Sequence, residues 1–387
     1  MKYASLAFLC LLLVAPAYGR ARARDTGVPF GGNPSRFNAI TDVGGVEVGH
    51  TTLIQGEGPL VTGKGPIRTG VTLVFPRGRA SDAPAFAATF ALNGTGEMTG
   101  TAFIEEYGVL EGPIALTNSQ SIGTVRDAVG RWLVREKKWD LCCLPVVAET
   151  FDGYLNDIHG FHVREEHVLA AIAGASSGAV PEGSVGAGTG TVALGFKAGI
   201  GTSSRQVSTR SGGYTVGVLV QANMGGKRQL TIAGIPVGER LSAKTVAESD
   251  REDRDTGSII IIVATDAPLL PHQLKRVARR AALGLARTGA ISGDGSGDLF
   301  LAFSTANAEL VPLSSGREQK MFSPRMLPNE EMSPIFEGTV QAVEEAIINA
   351  LFAADTMVGI NNRTVEGLPI PRIREILREH KRLRLEP

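Results

Sequence analysis

Asp255-Thr-Gly-Ser-Ile-Ile-Ile-Ile-Val-Ala-Thr-Asp-Ala267 decides the fold, because charged sequence turns there, at a single Gly-Ser step, into an unbroken apolar run. Ile259 to Val263 is short, β-branched and bounded by polar residues, which predicts a strand buried on both faces. Just upstream, Glu248, Asp250, Arg251, Glu252, Asp253, Arg254 and Asp255 have the composition of a solvated loop. Ser258 therefore stands where loop becomes core. It is either a small residue at an ordinary strand entrance or a hydroxyl placed at the edge of the core for chemistry, and the rest of the chain has to decide which.

On the C-terminal side, Leu274, Val277, Ala278, Ala281 and Leu285 fall on one face of a helix predicted over Pro271 to Arg287, opposite a solvated basic face. Gly293 to Asp298 reads as a glycine-lined turn into a strand over Leu299 to Phe303. Ser296 and Asp298 are two apart, so in extended backbone their side chains point the same way. A further helix is expected from Ser333 to Phe352, closed by Asn361 and Asn362, with an exposed basic tail beyond.

On the N-terminal side, Gly225 to Thr256, with no strong core pattern beyond Leu230 to Val237, reads as a long linker, and Tyr214 to Val220 as a strand ending at Gln221-Ala-Asn223. An amide in that position caps a turn or donates to an oxyanion. Gly183 to Gly201 is dense in glycine, which lets strands and loops approach closely but matches no complete nucleotide fingerprint. A strand at Pro145 to Ala148 leads into Glu149-Thr-Phe-Asp-Gly-Tyr-Leu-Asn-Asp-Ile-His-Gly-Phe-His-Val163, whose acids, amide, tyrosine and histidines suit a substrate loop. His159, His162 and His167 raise a metal site, but their spacing fits no zinc pattern, so no metal is assigned. Strands at Gly70 to Phe75, Ala85 to Leu92 and Ile114 to Leu116, a helix at Ser121 to Val134 and a turn at Asn93 to Glu97 complete a mixed α/β pattern. His50, at a strand end, reads as a structural hydrogen-bonding residue.

Composition narrows the function. The 387 residues can bury a large core, and Lys plus Arg balance Asp plus Glu at 39 each, so no global field favours nucleic acid or an anionic membrane. Met1 and Lys2, the apolar run Ala4 to Ala15 and Ala17-Tyr-Gly19 form a secretory signal peptide, predicting export to the periplasm or medium and removal near Gly19. Cys10 leaves with it, and the adjacent Cys142 and Cys143 are expected to be buried small hydrophobes rather than a bridge.

For hydrolysis the chain needs a nucleophile, a base and an oxyanion donor. No histidine has local sequence that selects it for a Ser-His-acid triad. The alternative is an N-terminal nucleophile. The Ser258 hydroxyl attacks the Gly257 carbonyl, an ester forms by an N-to-O shift, and water releases two chains. Gly257 suits such attack because it tolerates strained backbone. The freed α-amine, with an ordinary pKa of about 7.7 to 8, can act as base near neutrality.

Together, Asn38-Ala-Ile-Thr-Asp-Val43, the Glu149 to Ile158 stretch with Gly160-Phe-His-Val163, Val218-Leu-Val-Gln-Ala-Asn223, Gly257-Ser258, Ala264-Thr-Asp-Ala-Pro-Leu269 with Pro271-His-Gln-Leu274, and Ser296-Gly-Asp298 before Ala302-Phe-Ser-Thr305 resemble the autoprocessed serine aminopeptidases. These include L-aminopeptidase/D-alanine esterase-amidase and the β-peptidyl aminopeptidases. The resemblance implies an αββα sandwich, topologically distinct from the true N-terminal-nucleophile hydrolases. One catalytic domain would be cut into an α chain (20–257) and a β chain (258–387), assembled as a tetramer of such heterodimers, with no cofactor. It implies Ser258 as nucleophile for self-cleavage and turnover, Ser296 and Asp298 as its polar relay, and Asn223 as oxyanion donor. Glu149 would bind the substrate's free ammonium, with Tyr154 in the same site motif. Some relatives carry Glu at the position of Asp298. Substrates would be small peptides, amides or esters with a free amino group. An ornithine-acetyltransferase-like enzyme, which usually cuts before Thr, and a secreted binding protein that keeps the fold uncut are the competing readings.

Overall fold

The computed structural model describes residues 21–137, 139, 144–241, 257–310, 312–313, 317–318 and 321–384. Residues 1–19, expected to be a signal peptide, Cys142 and Cys143, expected to be buried, and the charged stretch 248–256, expected to be a loop, lie outside them. In chain order the elements are β1 (Glu47–Gln55), β2 (Ile67–Phe75), β3 (Ala85–Gly94), α1 (Thr101–Tyr107), β4 (Val109–Leu110), β5 (Ile114–Asn118), α2 (Ile122–Lys137), β6 (Val146–Thr150) and α3 (Glu165–Ala173). They continue with β7 (Val192–Ala193), β8 (Phe196–Lys197), β9 (Ile200–Thr209), β10 (Gly212–Asn223), α4 (Val237–Leu241), β11 (Ser258–Thr265), α5 (Pro271–Arg287), β12 (Gly297–Ser304), α6 (Met332–Phe352), β13 (Met357–Val358), β14 (Thr364–Val365) and α7 (Ile370–Glu379).

Two sheets hold the molecule together, one ordered β1-β2-β5-β6 and one ordered β4-β3-β12-β11-β10-β9. The run that opened the sequence reading is β11, near the middle of the larger sheet and buried at every position. Its side chains alternate between two cores, as strand geometry requires. Ile260, Ile262 and Ala264 meet Leu116, Val146 and Ala148 of the smaller sheet, whereas Ile259, Ile261 and Val263 meet Leu274, Val277, Val343 and Ile347 of α5 and α6. A third core joins Val71, Leu73 and Val147 to Val125, Val129, Val168 and Ile172 of α2 and α3. Helix, sheet, sheet, helix is the order of the layers. β11 pairs antiparallel with β10 but parallel with β12, and α5 makes the crossover that a parallel pair needs.

The predicted bounds of α5 match those observed, since Pro271 fits its first turn and its apolar stripe is buried. Three expectations need correction. Helix α6 ends at Phe352, and Asn361 and Asn362, both in left-handed backbone, belong to the connection between β13 and β14. The tail is no bare basic extension, because Ile373, Ile376 and Leu377 of α7 are buried in the helix-side core. The tail was missed because these three residues form a short apolar stripe among charged ones. The start of the linker is not a connection only: Leu230, Ile232 and Val237, in the stretch Leu230 to Val237 where the sequence carries its core pattern, enter the same core.

Candidate functional site

Ser258 opens β11 with Asn223 of β10 as its cross-strand partner on one side and Gly297 of β12 on the other. It is buried, and its Oγ accepts the Gly297 N–H at 3.1 Å. The same N–H lies 3.3 Å from the carbonyl oxygen of Gly257. One backbone donor is thus shared between the hydroxyl and the carbonyl immediately before it. Strain does not explain Gly257, which has no left-handed backbone. The requirement is space: a Cβ there would sit 1.9 Å from the Asn223 carbonyl oxygen. Gly297 is constrained in the same way, with the Thr95 carbonyl oxygen 2.4 Å from where its Cβ would be. The two glycines let three strand ends close around Ser258.

Ser296 and Asp298 flank Gly297, and both are buried. The Ser296 hydroxyl donates to Asp298 Oδ1 at 2.7 Å, which the two-residue spacing predicts. The pair thus brackets Gly297, whose N–H the Ser258 hydroxyl accepts, at the start of β12.

Asn223 is the last residue of β10, and its Oδ1 accepts the Val192 N–H at 2.9 Å. That bond fixes the amide orientation and leaves Nδ2 as a donor. Directly opposed residues of an antiparallel pair project to the same face, so the amide shares a face with the Ser258 hydroxyl.

The smaller sheet contributes Glu149 from β6, buried at 7% exposure. Its Oε1 accepts the Glu97 N–H at 3.1 Å, and its Oε2 accepts from the Ser119 hydroxyl. Burial raises its carboxyl above the ordinary carboxylate range, and these two hydrogen bonds hold it back. The Asn93 to Glu97 turn carries the carboxylate to the nucleophile's neighbourhood: a Cβ on Gly96 would lie 3.3 Å from Glu149 Oε1 and 3.1 Å from Gly297 Cα. Beside that turn opens a cleft of about 640 Å³ lined by Gly94, Gly96, Met98, Leu299, Lys275 and Arg279.

Tyr154 stands apart at 49% exposure, under the Arg363 guanidinium 5.0 Å from its ring centroid. No hydrogen bond described for it reaches Ser258, Asn223 or Glu149. The histidines are occupied locally: His162 Nε2 bonds Asp157 at 2.9 Å, and His167 Nδ1, in the first turn of α3, accepts the Arg164 N–H. Among the described residues no group of three or more His, Cys, Asp or Glu gathers in a way that could hold a metal. His50 is paired to Thr72 Oγ1, and burial lowers its pKa to about 4, so it is neutral at pH 7. The expectation that the chain contains no G-x-S-x-G nucleophile elbow is wrong as to the letters, because Gly174-Ala-Ser-Ser-Gly178 spells it. It follows α3 instead of a strand, and Ser176 exchanges backbone bonds with Val48, so the strand-turn-helix context is missing.

Sequence reasoning did not single out Ser119, Glu97 or the role of Gln221. The Gln221 Nε2 donates to Thr117 O, Thr150 Oγ1 and Ala187 O at 3.0, 2.8 and 3.2 Å, joining the two sheets beneath the site. A glutamine inside an apolar strand, two residues before Asn223 and so on the same face, was the available signal.

A buried serine, a serine-carboxylate pair, a strand-end amide and a buried carboxylate are brought together here, and the likeness to known proteins makes the chain a serine-type hydrolase of the aminopeptidase class. The profile of Peptidase family S58 matches residues 38–365, and the chain belongs to that family. It is 49% identical to the Beta-peptidyl aminopeptidase BapA of Sphingosinicella microcystinivorans over 393 residues, covering 99% of this chain and 98% of that protein. Among solved structures it resembles L-aminopeptidase D-Ala-esterase/amidase from Ochrobactrum anthropi, described as a prototype for the serine aminopeptidases and a new variant among the Ntn hydrolase fold. There the TM-score is 0.86 at 43% identity, over 94% of this chain and 99% of that one. It also resembles a Burkholderia sp. beta-aminopeptidase, with TM-score 0.85, 46% identity and 95% and 100% coverage.

Proposed function

We propose that the protein cuts itself between Gly257 and Ser258 and then uses the new N-terminal Ser258 to release N-terminal amino acids from small peptides, amides and esters. The observation that carries this reading is the single Gly297 N–H shared by the Ser258 hydroxyl and the Gly257 carbonyl. The donor that orients the nucleophile also polarises the bond to be broken. Attack of Oγ on the Gly257 carbonyl carbon forms the C–O bond, and the C–N bond to Ser258 breaks as its nitrogen takes a proton. Water then hydrolyses the ester, giving an α chain ending at Gly257 and a β chain beginning at Ser258.

In turnover the freed α-amine takes the hydroxyl proton, aided by the Ser296–Asp298 pair, and Oγ attacks the substrate carbonyl. The developing oxyanion is met by Asn223 Nδ2. The departing amine is replaced by water, which frees the acid and restores Ser258. Glu149, from the opposite sheet, receives the substrate ammonium. A charge-assisted contact there restricts cleavage to the N-terminal residue. No step is routed through Tyr154. Export by the N-terminal signal and assembly of αβ heterodimers into tetramers belong to the same reading.

The names of the relatives favour β-amino acid substrates. Side-by-side assays with L-Ala, D-Ala and β-Ala p-nitroanilides are expected to show hydrolysis of the β-Ala compound. Inactivity on all three would contradict the aminopeptidase reading.

Glu149→Gln tests the ammonium contact. Losing a charged hydrogen bond of about 1.5–3 kcal/mol raises KM about 10- to 100-fold, with a smaller change in kcat. In the parent enzyme the ammonium needs the ionised carboxylate, whose pKa is raised. KM is therefore expected to climb as pH falls through a value above the usual carboxylate range, and that dependence disappears in Glu149→Gln. An unchanged KM in the variant would remove Glu149 from substrate binding.

A further inference from the structure

We infer that Lys197 is a positioning residue for the Asn223 amide, acting through the loop from Gly188 to Val192. This rests on the reading of Asn223 as oxyanion donor. Lys197 lies in β8, and its side chain is completely buried. Its Nζ donates to three backbone carbonyls, those of Gly188 at 3.3 Å, Thr191 at 3.0 Å and Ala198 at 2.5 Å. The ammonium thereby ties the start and the end of one loop to a single point.

That loop delivers the donor that holds the catalytic amide. Val192 is the cross-strand partner of Lys197, and its N–H points to Asn223 Oδ1 at 2.9 Å. Thr191 Oγ1 adds a bond to Gly188 O at 3.0 Å, closing the turn from within. Beyond the loop, the Leu194 N–H bonds Met224 O at 2.7 Å, and the Ala222 N–H bonds Gly199 O at 2.9 Å, so the β7–β8 segment that follows it is fastened to the last residues of β10.

A buried lysine is an expensive way to hold a loop. Burial lowers its pKa to about 7, while Asp152, packed under Gly190, favours the charged form. Asp152 is itself fully buried, pushed up to about 7 by desolvation and hydrogen-bonded by Asn156. An apolar residue would fill the space at lower cost, but it would remove the one group that donates to the Gly188, Thr191 and Ala198 carbonyls together and so holds the loop that aims the Val192 N–H.

The test is a double-mutant cycle on kcat for an aminoacyl p-nitroanilide, with Lys197→Met and Asn223→Ala. We expect Lys197→Met alone to lower kcat at least about tenfold with KM within about twofold, and to have less than about a twofold effect in the Asn223→Ala background. Thr191→Val keeps the lysine and side-chain volume while loosening the same turn. It is expected to give a smaller loss, likewise absent without Asn223, and it serves if Lys197→Met does not fold. Equal losses in both backgrounds would overturn the positioning role and leave a general structural one. No loss from either loop variant would also overturn it. An Asn223→Ala enzyme as active as its parent would sink the oxyanion assignment itself, and the inference with it.

Discussion

Ser258→Ala is expected to leave a single uncut chain with hydrolysis of aminoacyl amides reduced by about 10⁴-fold or more, the range seen when a nucleophile acting with its partners is removed. Both consequences follow from one atom. Without Oγ nothing attacks the Gly257 carbonyl, so no new amine forms, and without that amine the site also lacks its base. The fold should survive, because alanine fits where Ser258 is already buried and, among the described residues, its Oγ accepts a single hydrogen bond, from the Gly297 N–H. Circular dichroism and thermal melting close to those of the parent would show this. A purified Ser258→Ala protein that still splits at Gly257 and still turns over substrate would refute the assignment of the nucleophile.

Asn223→Ala is expected to lower kcat about 10²- to 10³-fold, the usual effect of deleting one oxyanion donor, with KM changed little. The donor acts on charge that develops only in the transition state, so ground-state binding is spared. Self-cleavage should be slowed less than turnover. Its scissile carbonyl, that of Gly257, already lies 3.3 Å from the Gly297 N–H, a donor that the substitution leaves in place. Densitometry of uncut and cut chains against time, beside kcat for the matured fraction, measures the two effects separately. A raised KM with unchanged kcat would instead make Asn223 a substrate-binding residue.

Much of this was legible in the sequence because strand and helix periods are local signals. The apolar run after Ser258 gave β11, the stripe from Leu274 to Leu285 gave α5, and the spacing of Ser296 and Asp298 gave their hydrogen bond. The partners of Ser258 across the sheet were not legible. That Asn223 lies opposite it is a matter of register between strands joined by more than thirty residues, and the residues from either side carry no mark of their pairing. Glu149 reaches the neighbourhood from the other sheet, a meeting fixed by the inter-sheet core and by the turn at Gly96. The reason for Gly257 also had to come from three dimensions, since the crowding is with the backbone of Asn223. The surroundings of Tyr154 were not legible either, since the Arg363 that lies over its ring is more than two hundred residues away in the chain.

The central claim is that one peptide bond, Gly257–Ser258, is both the substrate of maturation and the source of the active site. Intact mass and N-terminal sequencing of the purified, active protein test it directly. At the mean residue mass of the chain, 40.7 kDa over 387 residues, the expected species are an α chain of about 25 kDa and a β chain of about 14 kDa, sizes ordinary for a divided domain. The smaller chain should begin Ser-Ile-Ile-Ile-Ile. A fully active enzyme that remains a single chain, or whose smaller chain begins at any other residue, would contradict the account.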